Sequence, residues 1–274
     1  MEELTWTNAE GLRIHAAHWP EKKPWAAITL VHGQGEHIGR YDHLGQWFND
    51  RGVAVLGYDQ QGYGKSAGTR GHARSLDALL DDIGQALDET RERYPDARHF
   101  LYGHSMGGNL VLNYLLRRRP NLNGVIATAP WVRLAFPAPV LKVLAGRVLN
   151  RLTPSLRLPN GLAEHFLSRN PLVVEAYRND PLVHNRLSVA AGIQLLDAAI
   201  WLNQYSGETP VPLLLLHGAG DRITSAPATR ELAGRLRGKV AFREWPSLYH
   251  EIHNEPEQEQ VFQATLDWML SLQI

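Results

Sequence analysis

The segment Gly103-His104-Ser105-Met106-Gly107 fits the pattern G-x-S-x-G. An apolar run, His99-Phe100-Leu101-Tyr102, leads into it, and a stretch of helical periodicity reaching Arg119 follows. A serine at so sharp a strand-to-helix turn takes a strained backbone conformation, with its hydroxyl thrust out beyond the sheet. The flanking glycines are required because a Cβ at either position would meet the neighbouring strand or helix. The pentapeptide alone is common; its place between strand and helix makes Ser105 the expected nucleophile.

A serine hydroxyl becomes reactive when an imidazole takes its proton and an acid fixes that imidazole's tautomer. For a nucleophile on this kind of turn, the partners follow in the order acid, then histidine. The run Leu213-Leu214-Leu215-Leu216 ends in His217-Gly218-Ala219-Gly220-Asp221, which places Asp221 in a loop beyond a core strand. The strand ending at Trp245-Pro246 is followed by Ser247-Leu248-Tyr249-His250, so His250 belongs to a loop on the same edge. Asp221 and His250 are the expected acid and base. Asp59, Asp180 and Asp197 read as cap, turn or surface residues. His104 points away at the turn, His217 supports the loop before Asp221, and His253 is the rival base.

Val31-His32-Gly33-Gln34-Gly35 follows the first clear buried strand. Its glycines allow a loop to approach the nucleophile and aim an amide at a reacting carbonyl. The backbone N–H groups of Gln34 and Met106 are therefore the expected oxyanion donors. Two other patterns fail. Gly64-Lys65-Ser66 suggests a phosphate loop, but a Walker motif requires glycine where Asp59 stands. His250-Glu251-Ile252-His253 is one residue too short for a zinc helix of the H-E-x-x-H kind. No metal or cofactor is expected.

Three loops must converge from the ends of neighbouring strands, and the chain supplies those strands. Ala26–Val31, Val53–Tyr58, His99–Tyr102, Val125–Thr128, Leu213–Leu216 and Val240–Trp245 read as buried strands. Amphipathic stretches alternate with them: 41–51, 75–94 with Ser75 as its N-cap and Pro95 as its stop, 227–236 and 256–272. The alternation predicts an α/β fold with a mostly parallel sheet covered on both faces. It breaks between Trp131 and Tyr205, where helical, proline-punctuated segments appear and no strand is evident. The expected division is a core of residues 1–130 and 206–274 with a helical cap insertion at 131–205. Leu141, Leu144, Val148, Leu149 and Leu152 share one helical stripe there, which reads as ordinary packing, with a greasy ligand pocket as the alternative.

Composition sets outer limits. The 274 residues carry 28 Lys+Arg and 28 Asp+Glu, a net charge of +0, so no overall field draws a nucleic acid or an anionic membrane. The run Arg117-Arg118-Arg119 suits the last turn of a helix. The chain has no cysteine, which excludes disulfides and a thiol nucleophile. The acidic start Met1–Trp6 lacks the apolar stretch of a signal peptide, and Val211–Leu216 is too short to span a bilayer. A cytoplasmic protein is expected, with transient membrane-surface contact and the oligomeric state left open.

With these residues in view, the chain resembles the monoacylglycerol lipase/lysophospholipase branch of the α/β-hydrolases, a serine aminopeptidase S33-like group. His32-Gly33-Gln34-Gly35-Glu36-His37 with Arg40-Tyr41 is the specific block. Gly103–Gly108 and the pair His217-Gly218…Asp221 and Tyr249-His250…His253 are more widely shared, and Asp59–Ser66 matches the loop after the preceding strand. The resemblance implies an α/β-hydrolase fold with a cap lining an acyl-chain tunnel. It implies that Gln34 and Met106 hold the oxyanion, and that Glu36, Arg40 and His253 face the glycerol or head-group end of a substrate.

The expected activity is cleavage of single-chain lipid esters through an acyl-enzyme on Ser105, with a monoacylglycerol ahead of a lysophospholipid or short ester. One alternative is an amidase of the proline-iminopeptidase kind, in which Glu164 or Glu175 would hold a free amine. Another is a catalytically silent binding module, although the chain retains a full set of triad candidates.

Overall fold

The computed structural model describes residues 1–137 and 140–272; the last two residues of the expected core range, and 138–139 of the insertion, lie outside them. In chain order the strands are β1 (Glu2–Thr7), β2 (Arg13–Trp19), β3 (Ala26–Val31), β4 (Val53–Tyr58), β5 (Arg98–His104), β6 (Gly124–Thr128), β7 (Arg157–Pro159), β8 (Arg186–Ser188), β9 (Gly207–Glu208), β10 (Leu213–Gly218), β11 (Leu236–Arg237) and β12 (Val240–Trp245). The α-helices are α1 (Asp42–Asn49), α2 (Leu76–Arg93), α3 (Met106–Arg118), α4 (Val140–Leu152), α5 (Pro171–Asn179), α6 (Val189–Gln204), α7 (Ala226–Arg235) and α8 (Gln258–Ser271).

Eight strands form one sheet in the order β1-β2-β4-β3-β5-β6-β10-β12, and β2 runs against both its neighbours while all other pairs are parallel. The pleat explains why near-continuous apolar runs became strands: both faces are covered. Leu213 and Leu215 enter the core that holds α2, α3, α6 and α7, whereas Leu214 and Leu216 enter the core that holds α1 and α8. Because β3, β5, β10 and β12 are parallel, their following loops emerge at one edge. That edge carries the site.

The two N-terminal strands escaped the sequence reading. β1 is an edge strand with mostly exposed side chains, and β2 interrupts its apolar run with His15 and His18, buried beside Asp59 and Tyr94 respectively. Helix α2 starts where expected, with Ser75 Oγ accepting from the Ala78 N–H.

The described residues of 131–205 add no strand to the main sheet, although β7 and β8 pair there as a three-residue antiparallel ladder that the sequence reading did not find. Packing divides this stretch. Helix α6 places Ala191, Leu195 and Leu202 in the core shared with α2 and α3. Helix α4, in contrast, buries none of its residues.

The leucine stripe needs correction here. Leu141 and Leu152 are 81% and 72% exposed, and Leu144 and Val148 are also exposed. The side of α4 that meets α6 is the opposite one, where a Cβ on Gly146 would come within 3.2 Å of Ile193. Periodicity identified a helix with an apolar stripe, but the small residue determined which side could approach a neighbour.

Candidate active site

Ser105 sits between β5 and α3 with φ 54° and ψ −113°, a left-handed conformation that costs a non-glycine residue on the order of 1–3 kcal/mol. The turn is held by Ser105 N–H donating to Thr128 O and by the Trp131 N–H donating to Ser105 O, both at 3.0 Å. A Cβ on Gly103 would run into the Gly107 carbonyl, and one on Gly107 into the Val31 carbonyl, so the spacing of the motif is steric.

The three loops meet. Ser105 Oγ lies 2.8 Å from His250 Nε2, and His250 Nδ1 lies 2.7 Å from Asp221 Oδ2. In that geometry the hydroxyl donates to the ring and the ring donates to the carboxylate. Asp221 Oδ1 accepts from the Ile223 and Thr224 N–H groups, while His217 Nε2 lies 3.0 Å from Oδ2. Burial opposes charge on both partners, but each overcomes it through the other. The Asp221 carboxyl falls far below the usual range because of the imidazole beside it, and the His250 imidazolium rises above its usual 6.5 because of the carboxylate.

Met106 follows Ser105 directly, and Gln34 follows Gly33, where an added Cβ would come within 3.4 Å of the Ser105 Cβ. Among the described residues neither backbone N–H has a hydrogen-bond acceptor. For Met106 this follows from its place as the first residue of α3, where the amides have no partner one turn back. The Gln34 side chain is anchored on both sides: Nε2 donates to Arg186 O at 3.2 Å, and Oε1 accepts from Tyr63 OH at 2.6 Å.

Glu36, Arg40 and His253 lie together beside the loops that carry Gln34 and His250, buried or nearly so. Glu36 is buried and accepts from Gly33 N–H (2.6 Å), Tyr41 OH (2.7 Å) and Arg40 Nη1 (2.6 Å). Arg40 also grips Glu251 through both Nη atoms at 2.7 Å. This bidentate pair joins the loop after β3 to the loop after β12. Arg40 stays charged despite burial because two carboxylates surround it, and burial alone would raise Glu251, yet Arg40 pulls it down to about 2. His253 is fully buried, stacked on Tyr41 (4.7 Å) and edge-on to His104 (4.6 Å), and among the described residues neither ring nitrogen has a partner. Burial lowers it to about 3, which makes it a weak base, and the contact to the Ser105 hydroxyl is made by His250 instead. Sequence reasoning missed Glu251, although its position beside His250 was a usable signal.

The rival acids have other occupations. Asp59 is buried and accepts from His15 Nδ1 and the Ile38 and Lys65 N–H groups; it is not a surface residue. Asp180 accepts from His37 Nε2 at 2.8 Å, and Asp197 pairs with Arg147 at the surface. Glu164 pairs with Arg178 at 2.7 Å beside a cavity of about 450 Å³, and Glu175 is exposed.

The 131–205 stretch is tied to every one of these loops. Ala135 N–H donates to Ile223 O and Ser225 N–H to Arg133 O at the acid loop (3.0 and 2.9 Å). Glu251 N–H donates to Leu167 O (2.8 Å) at the histidine loop, and His184 N–H to Gly35 O (2.9 Å) at the oxyanion loop. A second cavity, of about 520 Å³, lies between Trp131–Pro137, α6 and the start of α7, lined chiefly by apolar side chains such as Leu134, Phe136, Leu196 and Ile200.

Comparison with known proteins agrees with this architecture. The serine aminopeptidase S33 family model matches residues 22–257. A monoacylglycerol lipase of Mycolicibacterium smegmatis is 32% identical over 272 residues, 98% of this chain and 97% of that one. An uncharacterized abhydrolase domain-containing protein of Dictyostelium discoideum is 36% identical over 253 residues, which is 91% of this chain but only 27% of that longer protein. The crystal structure of Paleococcus ferrophilus monoacylglycerol lipase superposes with a TM-score of 0.86 at 35% identity, covering 94% of this chain and 99% of that one. The chain belongs to the serine aminopeptidase S33 family of α/β-hydrolases.

Proposed function

We propose that this protein is a serine carboxylic-ester hydrolase acting on single-chain lipid esters, with monoacylglycerols foremost. The observation that carries the reading is the continuous relay from Ser105 through His250 to Asp221, at 2.8 and 2.7 Å. His250 takes the Ser105 proton as Oγ attacks the acyl carbon. The N–H groups of Gln34 and Met106 receive the oxyanion, each contributing about 2.7–4 kcal/mol of transition-state stabilisation. His250 then protonates the departing alcohol, and water activated by the same ring releases the acid. Because the raised imidazolium must lose its proton before it can act, activity falls as pH drops, with the acid limb above 6.5.

Residues 131–205 serve in this reading as the cap, with α6 as its anchor. The 520 Å³ cavity, lined chiefly by apolar side chains, suits an acyl chain, and Trp131 in its wall donates its backbone N–H to the Ser105 carbonyl. Among the described residues no helix is long and apolar enough to cross a membrane. The exposed stripe of α4, flanked by Lys142 and Arg151, instead supports transient contact with a lipid surface by a peripheral, cytoplasmic protein. The amidase reading is weakened because Glu164, one of its two amine anchors, is already paired with Arg178.

A turnover screen across monoacylglycerols, lysophospholipids, short esters and aminoacyl amides tests the proposal. Release of fatty acid from long-chain monoacylglycerols is expected. Faster release from aminoacyl amides, or no labelling of Ser105 by a fluorophosphonate, would overturn it.

A further inference from the structure

We propose that His217 is a positioning residue for the reaction: it donates its Nε2–H to the same Asp221 oxygen that receives the Nδ1–H of His250, fixing the carboxylate and moderating its pull on the base. The proposal rests on the reading of Ser105, His250 and Asp221 as a catalytic set. His217 follows four leucines at the end of β10 and is fully buried, where an apolar residue would continue the run. A buried imidazole requires partners, and both ring nitrogens have them: Asp221 Oδ2 at 3.0 Å and Thr229 Oγ1 at 2.9 Å.

The partners fix the tautomer. Asp221 can only accept, so Nε2 carries the proton and Nδ1 accepts from the Thr229 hydroxyl. The other acceptor near that hydroxyl, Ser225 O, is 3.5 Å away and competes weakly. Oδ2 thus faces two imidazole donors, with Thr224 Oγ1 also 2.8 Å away. Each extra donor withdraws charge that would otherwise strengthen the hold on the His250 proton. A lone carboxylate would hold the Nδ1 proton more tightly and make the ring a stronger base, slower to release from Nε2 the proton that the leaving alcohol needs.

Other charged or titratable groups surround His250: His104 at the end of β5, Glu251 and His253 on its own loop, and Glu36 and Arg40 from the oxyanion loop. A substitution at 217 leaves all of them in place.

The test compares wild type, His217→Gln and His217→Leu on p-nitrophenyl butyrate across pH, with folding checked by circular dichroism. His217→Leu should lower kcat by up to about 10²-fold with KM changed less than about twofold, and should move the acid limb upward. His217→Gln, which keeps an N–H donor at the same reach, should recover most of kcat and the wild-type acid limb. Equal impairment in both variants with an unmoved limb, or wild-type behaviour in His217→Leu, overturns the proposal. If His217→Leu does not fold, Thr229→Val serves instead. It frees the ring to flip, and an unchanged kcat and limb would count against the proposal. Ser105→Ala assayed in parallel separates the two readings, because activity surviving there defeats the parent assignment whatever happens at 217.

Discussion

The loops around Ser105 and helix α4 are opposites. At the loops the charged side chains are held in place: Asp221 has donors on both oxygens, Glu36 has three, and Arg40 is held by two carboxylates. Helix α4 touches the rest of the protein along one narrow side and shows solvent its widest apolar surface. Chemistry demands groups fixed in advance, so that no reorganisation is needed when charge develops. A surface meant to meet something large and fluid requires no such order, and leaving it uncovered forfeits about 1.5–3 kcal/mol for each large side chain. The two regions should therefore respond differently to substitution.

The sharpest break would come at the nucleophile. Ser105→Ala should lower turnover on the order of 10⁶-fold on soluble and lipid-borne esters alike, read as acid release over time. Next comes the clamp between loops. Glu251→Gln leaves part of the Arg40 charge unmatched in a buried place and should cost about 3 kcal/mol or more in urea unfolding.

Acidity gives a third, smaller lever. His253 is neutral when folded, at about 3, but titrates near 6.5 when unfolded, so protons favour unfolding throughout that window. Stability should fall as pH drops from 6.5, and His253→Phe should remove about 2–3 kcal/mol of that loss by about pH 4.5, measured by unfolding at each pH. The gentlest effect belongs to α4. Leu141→Glu with Leu144→Glu should leave p-nitrophenyl butyrate turnover intact and slow hydrolysis of monoacylglycerol in anionic vesicles about tenfold. Equal loss on both substrates would erase the contrast between the two regions.

The sequence made the relay legible because steric rules leave little freedom there. Strands β4 and β12 match their expected spans residue for residue, and Asp221 and His250 fall in the loops that the parallel order demands. What it hid depends on partners distant in the chain. His15 and His18 mask β2 until Asp59 and Tyr94 are brought beside them. Arg40 looks free to meet a ligand until Glu251, more than 200 positions later, pairs with its charge. The stripe on α4 reads as core because a periodic pattern carries no record of which side finds a neighbour.

The hydrogen bonds from 131–205 to the acid, histidine and oxyanion loops carry one more consequence. Replacing residues 157–188 with a short linker would not simply unroof an intact catalyst. Gly35 would lose the amide of His184, the Gln34 side chain would lose the Arg186 carbonyl, and Glu251 would lose Leu167. The trimmed chain would keep its serine but lose the scaffolding that holds the amide of residue 34 at its post.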